Sequence, residues 1–364
     1  MSAHPVSRTG PTPMPYRWWQ GYDAHDHRAI GALLGLACGD ALGTTLEFTR
    51  PPAHPWHPLL DGPHHTITGG GPFRLMPGQV TDDTQMACCL AASLAAHDGR
   101  CDAHDLAERY RAWSVHAFDI GGQTAGALRA FARSGDPATS GLDVWRTGGC
   151  RAAGNGALMR CAPIGACIAD PDQRQAAVIA DALITHADPR CVLSGAVYVA
   201  AIAAGVAGGD LQDMQQAALA AIAPAAAELR GSMLEQDAIT AAEEAVHDDI
   251  RLAQEDDPDL YGDCSMTGSA MGFVRLVLRL AFWELAHAPN PAAAMIDAVN
   301  RGGDADTNGA IVGALTGALH GPAAIPAAWR TAVLDCQPPP PWDGLYHPRV
   351  LLGAWWVCGG GAHG

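Results

Sequence analysis

Two rows of glycines with a spacing of four place the strongest constraint on the fold of this chain of 364 residues. The rows consist of Gly31, Gly35, Gly39 and Gly43 near the start and of Gly309, Gly313 and Gly317 near the end. Residues four apart lie on one face of an α-helix, and a glycine inside a helix costs about 1 kcal/mol relative to alanine. Such rows are expected where another backbone approaches closely, so we predict two helices that pack through these faces at the centre of the molecule.

Apolar residues at helical spacing recur along most of the chain, whereas strand-like alternation is nearly absent. The predicted helices are Ala29–Gly43, Met86–Ala96, Ala103–His116, Gln123–Ser134, Ala176–Ile184, Cys191–Ala207, Leu211–Leu229, Leu234–Gln254, Met271–His287, Pro291–Val299 and Thr307–His320. We therefore predict an all-α fold for residues 26–364, a compact single-domain orthogonal bundle of roughly a dozen helices. Residues 1–25 are rich in proline and aromatic residues and are predicted to form a flexible tail.

Composition limits the classes of function. A content of 48% hydrophobic and 16% charged residues is enough for a buried core and excludes disorder of the whole chain. The formal net charge of −16 argues against general nucleic-acid binding and against a membrane-surface partner, since both require basic patches. The 11 cysteines show no C-x-x-C spacing, and no signal peptide opens the chain. We expect a soluble protein of the reducing cytoplasm.

Two acidic stretches each follow a glycine-bearing turn and open an apolar helical pattern. They read TDDT at Thr81–Thr84 and DADT at Asp304–Thr307. Carboxylate and hydroxyl oxygens are ligands of Mg²⁺, Mn²⁺ or Ca²⁺ rather than of zinc. A capped helix start with surface acids is the alternative for either stretch alone. Because four aspartates would repel one another without a cation, the two stretches together predict a dinuclear metal site at two helix N-termini.

Other polar residues lie between these stretches. Asp119 precedes a glycine turn that opens a helix, and Gly154–Gly156 encloses Asn155 in a loop whose backbone N–H groups suit an anion. A helix cap and an ordinary turn are the respective alternatives. His186 ends a helix, where it either interacts with the helix dipole or contacts a ligand. Asp40 and Glu47 are acids in or just beyond the first glycine-bearing helix. Glu47 lies between two apolar residues, which is typical either of a surface acid on an amphipathic turn or of a setting that raises a carboxyl pKa for acid or base chemistry.

Taken in order, these segments resemble the ADP-ribosylglycohydrolase family over about Ala29 to Gly321. The resemblance rests on Gly39–Gly43 with Glu47 and Phe48, Thr81–Met86, Asp119–Gly121, Gly154–Gly156 with Met159 and Arg160, Thr185 with His186, and Gly302–Thr307. It implies an all-α fold with a dinuclear Mg²⁺ or Mn²⁺ centre. It also implies hydrolysis of the N- or O-glycosidic bond at the anomeric carbon of ADP-ribose.

The resemblance implies a role for each matched residue. The implied ligands of two Mg²⁺ (or Mn²⁺) ions are Thr81, Asp82, Asp83, Asp304, Asp306 and Thr307. The implied catalytic acids are Glu47, Asp83, Asp119 and Asp304. The implied substrate-binding residues are Asp119, Gly122, Asn155, Gly156, Met159, His186, Phe273 and Gly302. Asp119 matches an acid that lies near the target guanidinium in the arginine-specific branch, and Phe273 keeps the ring but lacks the hydroxyl of the tyrosine found in many relatives.

The resulting functional prediction is a metal-dependent hydrolase that removes ADP-ribose from arginine side chains of modified proteins. Serine-linked, small-molecule and nucleic-acid substrates remain open. The alternative is an immunity or regulatory protein that blocks an ADP-ribosylating toxin or transferase through the N-terminal tail, where Trp18 and Trp19 are large rings suited to docking. The filled ligand positions favour retained hydrolysis.

Overall fold

The structure, a computed structural model, describes residues 24–50, 63–232, 234–257 and 266–360. Within these residues it contains 15 α-helices and no β-strand, which confirms the predicted all-α fold. The helices are α1 (Ala24–Gly43), α2 (Asp82–Ala96), α3 (Ala103–Ser114), α4 (Gly122–Ser134), α5 (Pro137–Thr147), α6 (Ala162–Cys167), α7 (Pro171–Thr185), α8 (Pro189–Val206), α9 (Leu211–Arg230), α10 (Gln236–Leu252), α11 (Val274–His287), α12 (Pro291–Asn300), α13 (Ala305–His320), α14 (Ala327–Asp335) and α15 (Arg349–Trp355). The aromatic residues of the predicted tail, Trp18 and Trp19 among them, lie outside the described residues.

The two acidic helices begin earlier than predicted. Helix α2 begins at Asp82 rather than Met86, and α13 begins at Ala305 rather than Thr307. Acidic side chains in a first turn interact favourably with the positive end of the helix dipole, so they extend a helix instead of merely preceding it. The acids of both stretches consequently lie at the helix N-termini, as predicted.

The sequence patterns do not predict four of the described helices, α5, α6, α14 and α15. Helices α6 and α15 have only 6 and 7 residues, too few to show a helical period. Helix α5 carries a start signal that the apolar pattern does not reveal, because the Asp136 side chain accepts from the backbone N–H of Ala138 and Pro137 occupies the first turn.

The two glycine rows face each other along α1 and α13, which confirms the prediction that they pack together. A Cβ atom added at Gly35 would overlap the carbonyl oxygen of Gly313, and one added at Gly39 would overlap that of Gly309. The two helices run antiparallel, since Gly31 meets Gly317 at the opposite end of the contact. This packing brings the C-terminal end of α1 beside the N-terminal end of α13.

Helix α8 is long and apolar enough to cross a membrane by length and composition alone. However, 83% of its 18 residues are buried inside the protein, against α6, α7, α9 and α13. An apolar helix surrounded by other helices on most sides is a core helix. The structure therefore places this segment in the hydrophobic core.

Candidate functional site

Seven carboxylates converge where α1 ends and where α2 and α13 begin. They belong to Asp40, Glu47, Asp82, Asp83, Asp119, Asp304 and Asp306. One set of oxygens within 4.8 Å of one another comes from Asp40, Asp83 and Asp306. A second such set comes from Glu47, Asp304 and Asp306. Because Asp306 belongs to both sets, the two predicted acidic stretches form a single site.

Burial and mutual repulsion dominate the electrostatics of this acid cluster. Burial, followed by the negative charges of Asp306 and Asp119, raises the pKa of Glu47 to about 11. Burial also raises the pKa of Asp119 to about 7, and it raises the pKa values of Asp82 and Asp83 well above their usual range, with neighbouring acids adding to the effect. The charges that contribute most to these shifts are those of other acids. The seven acids therefore cannot all be ionised together unless a cation joins them.

Asp40 holds the start of α2, although it belongs to α1. Its carboxylate accepts hydrogen bonds from the backbone N–H groups of Thr81 (3.0 Å) and Thr84 (3.1 Å) and from both threonine hydroxyls (2.9 and 2.5 Å). Burial raises the pKa of Asp40 to about 6, and the hydrogen bonds from Thr84 and Thr81 oppose that rise. Because both of its oxygens are already engaged, we assign Asp40 to capping α2 and fixing Thr81 rather than to binding metal.

Two buried oxygens of the cluster, Asp83 Oδ1 and Glu47 Oε2, have no hydrogen-bond partner among the described residues. Leaving a buried charged oxygen unpaired is strongly unfavourable. A divalent cation would satisfy both atoms, and the donors here are oxygens, which Mg²⁺ and Mn²⁺ prefer and zinc does not. The residues of the acid cluster therefore fit a hard divalent cation.

The structure brings together the residues predicted to bind metal. Thr81 Oγ1 lies 3.0 Å from Asp83 Oδ2 and 3.3 Å from Asp306 Oδ2, between the two stretches. Burial raises the pKa of Asp304, and the neighbouring Asn155 and Thr307 side chains oppose that rise. Asp82 differs from the other acids because it lies outside both close sets of oxygens, and its nearest electrostatic partner is Asp119, whose charge contributes most to the raised pKa of Asp82 after burial.

The Gly154–Gly156 loop lies against the acid cluster. The Asn155 side chain donates to Asp304 Oδ2 at 2.7 Å, and its backbone N–H donates to the Gly272 carbonyl at 2.9 Å. The second bond ties the loop to Phe273, over whose ring the Arg190 guanidinium lies at 5.5 Å. The loop thus connects the acids to an aromatic face and to an arginine that is itself paired with Asp188 at 2.8 Å.

His186 faces this loop as a neutral side chain. A Cβ atom added at Gly156 would lie 2.8 Å from its ring, so only glycine leaves room there. Burial, followed by the charge of Arg160, lowers the pKa of His186 to about 3. Arg160 donates to Thr185 Oγ1 at 2.9 Å, and this hydroxyl lies 2.8 Å from His186 Nδ1. The hydroxyl can accept from Nδ1 as well as from Arg160, or donate its own hydrogen to Nδ1; in the second case the proton of the neutral ring lies on Nε2.

The remaining predicted substrate-binding residues lie at the edge of this arrangement. Gly122 is the exposed first residue of α4, and Gly302 has a φ of 71° in the turn before α13. Met159 is buried in the hydrophobic core, and its N–H donates to the Asn155 carbonyl at 3.0 Å. Their contacts with a substrate stay predictions.

The sequence patterns miss two parts of the site. One is the capping role of Asp40, and the other is a buried ion pair between Arg160 and Asp181 (3.1 Å) beneath His186. The signal for Asp40 lies in the glycine rows, because pairing Gly39 with Gly309 places the next residue of α1 beside the start of α13. No comparable signal exists for Asp181, which follows an apolar stretch of α7.

Comparisons of the sequence and of the structure with known proteins point to the same family. The pattern of the family described as ADP-ribosylglycohydrolase matches residues 22–347. A solved structure described as an ADP-ribosylglycohydrolase-related protein complex superimposes with a TM-score of 0.67 at 28% identity. The match covers 92% of this chain and 97% of that chain.

Two curated relatives are similar over part of their length. The ADP-ribosyl-[dinitrogen reductase] glycohydrolase of Rhodospirillum rubrum is 40% identical over 175 residues, which cover 46% of this chain and 54% of the relative. The ADP-ribosylarginine hydrolase Tri1 of Pseudomonas putida is 40% identical over 152 residues, which cover 37% of this chain and 35% of the relative. The aligned segments thus span only part of each relative.

Proposed function

Because the chain belongs to the ADP-ribosylglycohydrolase family, we propose that it is a divalent-metal-dependent hydrolase that releases ADP-ribose from arginine side chains of modified proteins. One observation carries this proposal: seven carboxylates meet without a basic partner among the described residues, and two of their buried oxygens are unpaired. Both features are expected of a site that holds cations. Arginine as the acceptor is supported by the position of Asp119 at the edge of that site.

Two Mg²⁺ or Mn²⁺ ions would be held by the acids at the N-terminal ends of α2 and α13, close to Glu47. The implied ligands are Thr81, Asp82, Asp83, Asp304, Asp306 and Thr307. Bound there, such ions would supply Lewis-acid stabilisation of developing charge and activate water as the nucleophile. Asp40 contributes by fixing Thr81, through the backbone and hydroxyl hydrogen bonds described above.

The side chains of the protein would position the substrate and move the proton. Asp119 can accept two parallel N–H donors from a guanidinium, which orients the leaving group beside the acids. Glu47 and Asp83 each present a buried oxygen without a hydrogen-bond partner, so these two carboxyls are the candidates for holding or transferring the proton. Neutral His186 would accept the Thr185 hydroxyl hydrogen at Nδ1 and donate from Nε2 to an oxygen of the substrate near the Gly154–Gly156 loop. Arg190, which is paired with Asp188 at 2.8 Å, would offer its remaining N–H donors to the diphosphate.

The proposal is tested by comparing release of ADP-ribose from arginine-modified and serine-modified proteins, with EDTA and after adding back Mg²⁺ or Mn²⁺. We expect faster release from the arginine form, and loss of activity in EDTA that either metal restores. Asp119→Asn should reduce kcat/KM for the arginine substrate by about 10- to 100-fold, since a charge-assisted pair contributes about 1.5–3 kcal/mol. Faster release from the serine form would reject arginine as the acceptor, and full activity in EDTA would reject the metal.

The prediction of an immunity or regulatory protein concerns the N-terminal tail, which lies outside the described residues apart from its end. It stays a prediction, as does the cytoplasmic location. A truncation that starts at Asp23, made in a hydrolase-inactive background and assayed for protection of cells against an ADP-ribosyltransferase, tests it. Equal protection with and without the tail would leave the tail without a blocking role.

A further inference from the structure

A row of aromatic rings runs along the segments that carry Glu47 and Asp119. Its members in order are Phe48, Phe73, Phe118, Trp342 and Tyr346. Successive ring centroids lie 6.3, 5.5, 5.2 and 5.6 Å apart in that order. Phe48 directly follows Glu47, and Phe118 directly precedes Asp119. The row therefore joins the neighbours of two acids of the site.

The rings differ in exposure along the row. Trp342 and Tyr346 are each 8% exposed, and Phe73 and Phe118 are half-buried. Phe48 is 52% exposed. Trp342 and Tyr346 thus belong to the hydrophobic core and Phe118 packs against it, whereas Phe48, the residue after Glu47, is largely exposed.

The backbone of Phe48 is held in an unfavourable conformation. Its φ of 60° lies in the left-handed region, which bulky residues rarely adopt. The Phe48 N–H donates to the Gly303 carbonyl at 2.6 Å, and the Gly303 N–H donates to the Thr49 carbonyl at 3.0 Å. These two bonds fix Phe48 relative to Asp304, the next residue after Gly303. Strain of this kind persists where the position of a side chain matters for function.

We propose that Phe48 is the platform for the acceptor side chain of the substrate, a planar guanidinium whose face lies on the ring while its edge meets Asp119. The inference rests on the proposed function, and it adds a specificity-determining residue to it. The face of an aromatic ring attracts cations, and guanidinium groups are those most often found there. A serine-linked substrate has neither a positive charge nor a planar group to place on Phe48.

The adenine of ADP-ribose is the other planar group that could stack on this ring. The chemistry of the substrate argues against it, because two riboses and the diphosphate separate adenine from the anomeric carbon. Phe48 instead follows Glu47, whose carboxyl lies in the same set of close oxygens as Asp304 and Asp306. The group nearest to Phe48 is therefore expected to be the one attached to the bond that breaks.

The test measures two kinds of inhibition alongside hydrolysis. Agmatine, a small guanidinium compound, reports on the acceptor position, and free ADP-ribose reports on the rest of the site. In Phe48→Ala we expect kcat/KM for arginine-linked ADP-ribose and the affinity for agmatine to fall about 2- to 30-fold, the range of one cation–π contact. Inhibition by ADP-ribose should stay unchanged. Phe48→Trp should retain both values, whereas Phe48→Leu, which is apolar but has no ring, should behave as Phe48→Ala. Val357→Ala, at an apolar residue that is 58% exposed, is the matched control and should change nothing.

Melting temperatures distinguish a Phe48 ring that is held in place by a strained backbone from a ring that has only a structural role. Glycine adopts a φ of 60° without strain, so Phe48→Gly should melt at a higher temperature than Phe48→Ala while losing the same activity. If Phe48→Gly melted at the same temperature as Phe48→Ala, the strain at this position would not exist and the inference would lose that support.

The outcomes distinguish the two proposals. If the wild type cleaves arginine-linked ADP-ribose and Phe48→Ala cleaves it equally well, the platform is rejected and the proposed function stands. If Phe48→Ala weakens inhibition by ADP-ribose instead, the ring holds the nucleotide and the inference is overturned. If the wild type does not cleave the arginine substrate and does not bind agmatine, both proposals fail.

Discussion

Two buried polar regions of this molecule lie close to the same loop, Gly154–Gly156, and differ in how their charges are compensated. Around Arg160 every charge has a partner: the guanidinium contacts both oxygens of Asp181 at 3.1 and 3.2 Å, and the Tyr110 hydroxyl donates to the same carboxylate at 2.8 Å. Arg160 also donates to the Gly156 carbonyl at 3.1 Å. In the acid cluster the neighbouring charges have one sign, and oxygens of Glu47 and Asp83 are unpaired. The charges of the first region are compensated by its own side chains, whereas the second has buried acceptors that bound protons or a cation would satisfy.

The difference shows how the protein separates stability from function. A fully paired buried network rigidifies its surroundings, and here it fixes the orientation of His186. A set of buried like charges lowers the stability of the fold and persists only where the surroundings hold it in place. The consequence is that substitutions in the two regions should act in opposite directions on stability.

The largest effect is expected for Arg160→Met. The substitution leaves the Asp181 carboxylate buried without its cation, so the free energy of unfolding should fall by about 3–5 kcal/mol. Urea denaturation measures this change. The matched control is Arg109→Met, which breaks a partly exposed pair with Asp105 (2.6 Å) and should cost about 0–1 kcal/mol. Equal losses in the two variants would mean that the buried network contributes no more than a surface ion pair.

The next effect concerns metal. Burial raises the pKa of Asp119 to about 7, and burial with neighbouring acids raises that of Glu47 to about 11. Without metal, the folded protein therefore binds more protons than the unfolded chain, so the contribution of these groups to stability is present at low pH and is lost as the pH rises through those values. A cation replaces the protons. Mg²⁺ or Mn²⁺ at about 100 times its dissociation constant should add about 2.7 kcal/mol at neutral to alkaline pH and less in acid.

Thermal melts with and without metal, each at about pH 5 and about pH 8, measure this dependence. EDTA serves as the control for metal carried through purification. A metal effect of the same size at both pH values would indicate that the cation does not compete with protons for these carboxylates.

The smallest expected change in stability is that of Asp306→Asn, which should nevertheless reduce activity strongly. Asp306→Asn removes one charge from both close sets of oxygens, so the protein without metal should be as stable as the wild type or more stable by about 1 kcal/mol. Hydrolysis should fall by about 1000-fold, because a metal contributes several kcal/mol to the transition state. The stabilisation by added metal should disappear as well. Asp237→Asn, at an exposed acid of α10, is the control. A marked loss of stability in Asp306→Asn would contradict the view that its charge is unfavourable in the metal-free fold.

Sequence patterns predict the fold class and the meeting of the two acidic stretches, because both depend on short-range features. Helical periodicity is visible within a few turns of one segment, and the glycine rows of α1 and α13 predict a close contact between helices. The acids at Asp82 and Asp304 are recognisable because they precede apolar runs. The helix starts are less predictable, since the cap of α2 comes from Asp40 on another helix.

The surroundings of the acids depend on contacts between distant segments. Phe73 and Phe118 pack together although they are far apart in the chain, and neither lies in a pattern that distinguishes it from any other apolar residue. The left-handed φ of Phe48 is likewise invisible, because its residue type argues against that conformation. Such features arise from tertiary packing that overrides local preference.

The antiparallel contact of α1 and α13 also limits how the distance between the acids of the cluster can change. Where a glycine sits against a backbone every four residues, the two helices can mesh again only after sliding by about one turn, or about 5.4 Å. Small slips of 1 or 2 Å are excluded, because a side chain would then have to enter the space that glycine leaves. The distance between Asp40 on one helix and Asp306 on the other can therefore change only in steps of about one helical turn and not gradually. Thermal motion should therefore leave the distance between the acidic stretches almost unchanged until the two helices separate.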